Sequence, residues 1–181
     1  MRASLESGAG PVYVEHMSTV ISEHFGELEL NHGTAHCFST RHTVHGVPVE
    51  IELNYAAHER PDQASVHKAD YRLHYLPELV DQIKDLITDE LGQEDSQVQE
   101  FRHFHCKGLD EEKRWATFGT TEEVDDQSFV RALRLGHVGI FPDQPERYFV
   151  LDFTLGEHFS DEVLVATADA DGVVDDEITW A

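Results

Sequence analysis

The stretch FRHFHCKG, residues 101 to 108, gathers Arg102, His103, His105, Cys106 and Lys107 around two phenylalanines in an otherwise acidic chain. As a strand, it would place His103 and His105 on one face and Cys106 on the other. Two histidines on one face bind Zn²⁺ or Cu²⁺ once a third or fourth ligand joins them. His36, Cys37 and His74 are the possible contributors, all distant in sequence. Neither a C-x-x-C nor an H-E-x-x-H pattern supports them. Zinc held by His103, His105 and Cys106 is therefore the one cofactor the chain suggests. A catalytic thiol is the other chemistry, because Arg102, His105 and Lys107 around Cys106 would favour a thiolate. A nucleophile also needs a positioned base and an oxyanion site, which spacing cannot supply. The plainer reading is a scaffold element whose histidines are exposed and whose thiol is buried. The stretch is also the most basic local patch, so an acidic neighbour could dock there.

Other chemistry is thin. DADGVVDDE, residues 169 to 177, has the acids of a Ca²⁺ loop, but its glycine comes one residue after the second Asp and strand-like segments flank it. An Asp171-Gly172 hairpin turn explains it better. Asp143 and Asp152 could pair as carboxylates, yet Pro142 already accounts for Asp143 through turn chemistry. The thirteen histidines show no other cluster, and His42 and His45 flank a turn where solvent would reach them. No glycine-rich phosphate loop and no G-x-S-x-G elbow occurs.

The elements that must position these groups belong to a chain of 181 residues, enough for one core. Residues 1 to 16 lack a period and read as a loose extension, with Met17 an alternative start. Residues 17 to 181 read as one α+β domain. GELELN, 26 to 31, alternates as a short strand. Residues 34 to 55 form a β-hairpin about Gly46, its second arm carrying Val47, Val49, Ile51 and Leu53 on one face. Pro48 suggests an edge position there. From Arg60 the period becomes helical: Pro61 suits a first turn, and Val66, Ala69, Leu73 and Leu76 follow. Pro77 interrupts or restarts the helix, and Leu79, Val80, Ile83, Leu86, Ile87 and Leu91 form a stripe ending near Gly92. Residues 98 to 105 fit helix or strand equally. DEEKR reads as a turn and WATFG as a short strand. Asp125 and Asp126 cap a helix running to Gly136. HVGIFPD, RYFVLDFTLG and the final hairpin then make an antiparallel meander with helices packed on one face.

The order HFGELELN, GVPVEIELN, LRLGHVGIFPD, YFVLDFTLG, DEVLVATADADGVVDDEITW resembles a bacterial domain-of-unknown-function family, the one numbered two thousand and four. The likeness runs from about His24 to the end and is poor over 93 to 120. It implies a small stand-alone cytosolic domain without an assigned activity, and it transfers no catalytic residue.

Charge sorts the partners. Thirty-six acids face 13 Lys and Arg, a net charge of −23, and no Lys or Arg follows Arg147. Nucleic acid and anionic membrane surfaces need the opposite sign. No apolar run approaches the ~20 residues that span a bilayer, and two cysteines make no disulfide framework, so a soluble cytoplasmic protein is expected. The first reading is thus a non-enzymatic interaction or accessory protein that shows an acidic surface to a basic partner; an immunity-type protein against a toxin is one form. The alternatives are a metal-dependent or thiol enzyme using His103, His105 and Cys106, and a housekeeping domain whose acidity is set by a saline environment. Oligomeric state is left open.

Overall fold

The computed structural model describes residues 17 to 181 apart from 32, 60, 157 and 158. The extension expected over 1 to 16 lies outside the described residues. The expected α+β class is the fold that forms.

Strands β1 (Met17–Ser22) and β2 (Gly26–Asn31) make a two-stranded antiparallel hairpin. Val20, Leu28 and Leu30 are buried, while Thr19, Ile21, Glu27 and Glu29 face outward. β1 has no sequence counterpart above, since MSTVIS mixes Ser and Thr into both faces. β3 (His36–Val44) and β4 (Val47–Tyr55) then form the expected hairpin, in register from His36–Tyr55 to Val44–Val47. His45 and Gly46 both take positive φ at its turn, the conformation Gly46 adopts without strain.

Five helices follow among the described residues. In α1 (Gln63–Leu73) Asp62 accepts from the Ser65 amide at 2.8 Å, and Ser65 Oγ accepts from the Asp62 amide at 3.2 Å, a reciprocal cap. α2 (Leu76–Leu91) carries Pro77 in its first turn and buries Leu76, Leu79, Val80, Ile83, Ile87 and Leu91. The expected stripe is thus its core face. The ambiguous stretch is helix α3 (Gln97–Cys106): Ser96 caps it, and Val98, Phe101 and His105 form its buried line. α4 (Glu111–Phe118) replaces the expected turn and strand. Asp110 accepts from the Lys113 amide, and Gly119 ends the helix in the left-handed region. α5 (Asp126–Ala132) is capped by Asp125 as expected but ends before Gly136, because β5 (Arg134–Ile140) begins at once.

After a short 3₁₀ turn at Pro145–Arg147 come β6 (Phe149–Thr154), β7 (Leu164–Ala168) and β8 (Thr179–Trp180). The second sheet has six strands in the order β3-β4-β5-β6-β7-β8. The meander β5 to β8 is antiparallel as expected. β4 and β5, however, pair in parallel through Glu50–His137 to Leu53–Ile140, so the early hairpin and the meander are one mixed sheet. A parallel pair needs a long crossover, and the helical segment is that crossover. β4 is an inner strand. Pro48 is tolerated because the β5 ladder starts only at Glu50, leaving its free side unpaired.

Val49, Ile51, Leu53, Val138, Ile140, Phe149, Leu151, Phe153, Leu164 and Ala166 fill the helix-covered face. Apart from Gly139, which lies under the Phe141 ring, the alternate residues remain partly or fully exposed, so among the described residues helices cover one face and leave the other bare. No helix among the described residues is long and apolar enough to cross a membrane.

Candidate functional site

The strand form of FRHFHCKG is not adopted. On helix α3, His103 and His105 point about 200° apart. His103 is exposed and His105 is buried. His105 Nδ1 lies 2.9 Å from the Phe101 carbonyl, which only accepts, so the proton sits on Nδ1. Its ring packs on Phe101 with centroids 4.1 Å apart. Burial pushes the Cys106 thiol up against the opposing pull of Arg102, which favours the thiol over the nucleophilic thiolate. The ligating atoms of His103, His105 and Cys106 are not gathered within 4.8 Å of one another. The zinc set read from sequence is therefore not assembled, because a helix separates what a strand would have aligned. Its supposed helpers are elsewhere. His36 bonds to Asn31 at 3.0 Å, Cys37 stands exposed at the edge of the bare sheet face, and His74 joins another cluster. Arg102 turns to Asp126, 2.8 Å away, and to the Val124 carbonyl.

The bare sheet face carries a second constellation. Arg41, Glu50, His137 and Asp152 follow one another across β3, β4, β5 and β6 in register, with Glu52 one step along β4. His137 Nδ1 is 3.3 Å from Asp152 and its Nε2 is 3.4 Å from Glu52. A bulge at Gly136 makes this possible. Leu135 pairs with Phe153 and His137 with Asp152, so one extra residue moves His137 to the face opposite Leu135. Strict alternation would have put both on one face, and so the sequence gives no sign of this site. The Phe141 ring lies over Gly139, where an added Cβ would come within 2.7 Å of it.

The Asp152 hydrogen bond, followed by Glu52, raises the His137 pKa above its ordinary value despite partial burial. A raised folded pKa means the fold binds this proton more tightly than the unfolded chain does. Its stabilisation is complete below the unfolded value of about 6.5 and is lost as pH rises through the folded value. His137→Asn should flatten that part of the stability–pH curve, measured by urea unfolding between pH 6 and 9. An unchanged slope would show that the proton is not held by this pair of carboxylates.

Asp143 and Asp152 find other partners. Asp143 lies with His58 and Glu59, their ligating atoms within 4.8 Å. Partial burial and then the Asp143 carboxylate push the Glu59 carboxyl up. In the acidic C-terminal loop, Asp169 Oδ1 accepts from the amides of Asp171 and Val173, both at 2.8 Å. Those amide bonds hold the Asp169 carboxyl down, and Gly172 takes φ +82°. The segment is the expected turn, tied to α1 by an Arg72–Asp171 pair at 2.8 Å.

The histidines are less scattered than their spacing implies. His24, in the β1–β2 turn, has its ring 5.2 Å from that of His42 on β3 and 5.4 Å from that of His74 after α1. His42 is thus half-buried instead of solvated, and burial followed by its two histidine neighbours lowers its pKa. His45 does reach solvent, 3.1 Å from Asp81. Only the adjacency of Glu23 and His24 was visible beforehand. The other members arrive from 18 and 50 residues away, and no local pattern encodes that.

No family model, curated protein or solved structure matches this chain.

Proposed function

We propose that the chain is a non-enzymatic bacterial interaction protein whose bare sheet face receives a basic protein partner. The observation that carries the reading is the side-by-side placement of Glu50, Glu52 and Asp152 on a face that no helix among the described residues covers. His137 partly offsets them, and Phe141, Val150 and Val165 supply apolar contact among them. Carboxylates across a flat surface steer a cationic partner and set its register, while apolar groups between them provide desolvated contact. The net charge of −23 acts in the same direction at long range. The family resemblance and the half-buried Cys106, whose thiol is pushed up by that burial, fit a small cytosolic accessory protein better than a thiol enzyme. Neutralisation of a basic toxin is one form this role can take.

The test is affinity purification with the full chain from native lysate, with retained proteins identified, alongside Glu50→Gln/Glu52→Gln. One basic protein should be retained in stoichiometric amount, with affinity falling at least about tenfold in the variant and at high salt. Retention of nothing, or equal retention by both proteins, would rule the reading out.

A saline-environment origin for the acidity is the second reading, and helix α2 favours it. Its outer side carries Glu78, Asp81, Asp85, Asp89 and Glu90 against Lys84 alone, a distribution aimed at no single surface. Unrelated proteins of the same organism would then share the acidity.

A further inference from the structure

We propose that Glu23, His24 and His74 form a binding site for a divalent transition metal of the zinc type, with His42 beside its fourth position. The ligating atoms of these three residues already lie within 4.8 Å of one another, and His74 Nε2 is 3.6 Å from Glu23 Oε2. In a tetrahedral site with bonds of 2.0–2.1 Å, ligand atoms stand about 3.3 Å apart. The remaining contraction is within rotamer reach of Glu23 and His74, both of which are exposed. Two imidazoles and one carboxylate are a borderline donor set. It suits Zn²⁺ and its neighbours, whereas Mg²⁺ and Ca²⁺ take oxygen.

His24 supplies the independent sign. Its Nε2 is buried and has no hydrogen-bond partner among the described residues, although a buried ring nitrogen ordinarily finds one. A metal ion would satisfy it, and none of the surrounding protein groups does. The backbone that presents it is fixed beforehand. Asp70 accepts from the Glu23 amide at 2.9 Å and from the His24 amide at 3.3 Å, and Thr40 Oγ1 donates to the His24 carbonyl at 3.0 Å. Asp70 is consumed by these bonds and by Ser22, so it orients the site without ligating. His42 on β3 stands beside the site, its ring edge-on to that of His24 with centroids 5.2 Å apart. A surface cleft of about 710 Å³, lined in part by Glu23, His67, Asp70 and His74, gives an ion and a water a way in. The bound ion would join the β1–β2 hairpin to the end of α1, two parts of the fold that meet at this point.

The experiment is Zn²⁺ titration calorimetry on tag-free full-length protein in excess Mg²⁺, with Co²⁺ absorption to report coordination geometry. One equivalent of Zn²⁺ should bind, and Co²⁺ should give a tetrahedral spectrum. His74→Ala and Glu23→Gln, both at exposed positions, should each weaken Zn²⁺ binding, His74→Ala by about 100-fold or more. His103→Ala should leave binding unchanged. Three results would overturn the proposal: no binding, binding that Mg²⁺ competes away as diffuse charge attraction, or binding that survives His74→Ala. Because the readouts are metal affinity and spectrum, the result is independent of whether a basic partner docks on the sheet.

Discussion

Replacing Phe101 by alanine is expected to destabilise the fold by about 3–5 kcal/mol, the range for deleting a fully buried aromatic ring. Phe101 has no exposed surface, and it is the point where three elements meet. Its ring stands edge-on to Phe129 of α5 at 6.3 Å and to Trp180 of β8 at 5.8 Å, and it packs against His105 at 4.1 Å. Truncation opens a cavity on all three sides, and the rigid elements around it cannot simply collapse inward. Phe101→Leu keeps most of the volume and should lose much less. Urea denaturation followed by tryptophan fluorescence measures both variants. A loss under about 1 kcal/mol for alanine would mean that α3 is not anchored through this ring.

Asp70→Ala should cost a comparable amount, about 3–5 kcal/mol, for a polar reason. Its carboxylate is almost fully buried and accepts from the Ser22 hydroxyl at 2.6 Å as well as from the Glu23 and His24 amides. Removing it leaves a buried hydroxyl and the Glu23 amide without an acceptor, whereas the His24 amide keeps Ser22 Oγ at 3.2 Å, and each such loss costs about 1–3 kcal/mol. Asp70→Asn keeps one acceptor oxygen but turns a donor toward the remaining amide, so it should fall between wild type and alanine. Hydrogen exchange at residues 23 to 25 should rise before global unfolding, because Asp70 and the Gln63 side chain, which bonds both the amide and carbonyl of Ile21, fasten the β1–β2 hairpin to α1. Unchanged exchange there, with full global stability, would refute the clasp.

How far the sequence reached depends on how locally each feature is encoded. β4 and β6 alternate cleanly, and α2 has six buried residues at helical spacing, so all three are legible. α4 buries Phe118 alone and leaves Trp115 exposed, so it has no stripe to read. Its start signal was nonetheless present in Asp110 with an amide three residues on. α3 alternates poorly because Phe104 and His103 are exposed while His105 is buried. The parallel join of β4 to β5 is a long-range pairing with no sequence signature. The two constellations at His137 and His24 were missed for different reasons. The first depends on a one-residue bulge that breaks the period of two, and the second on a turn, a strand and a helix end brought together only by the finished fold.

The β4–β5 ladder also bears on the order in which the chain folds. β3–β4 and β5 to β8 are each built from neighbours in sequence, so either can form with short loops to close. The seam between them is only four residue pairs long, Glu50–His137 to Leu53–Ile140, and it closes over the entire helical segment. That ladder therefore carries the largest loop-closure entropy in the sheet. The two halves are expected to form first, with their joining waiting until the helices have drawn the ends together. Glu50, Glu52 and His137 sit on this last-formed seam, so the acidic face is complete only when the whole chain is folded.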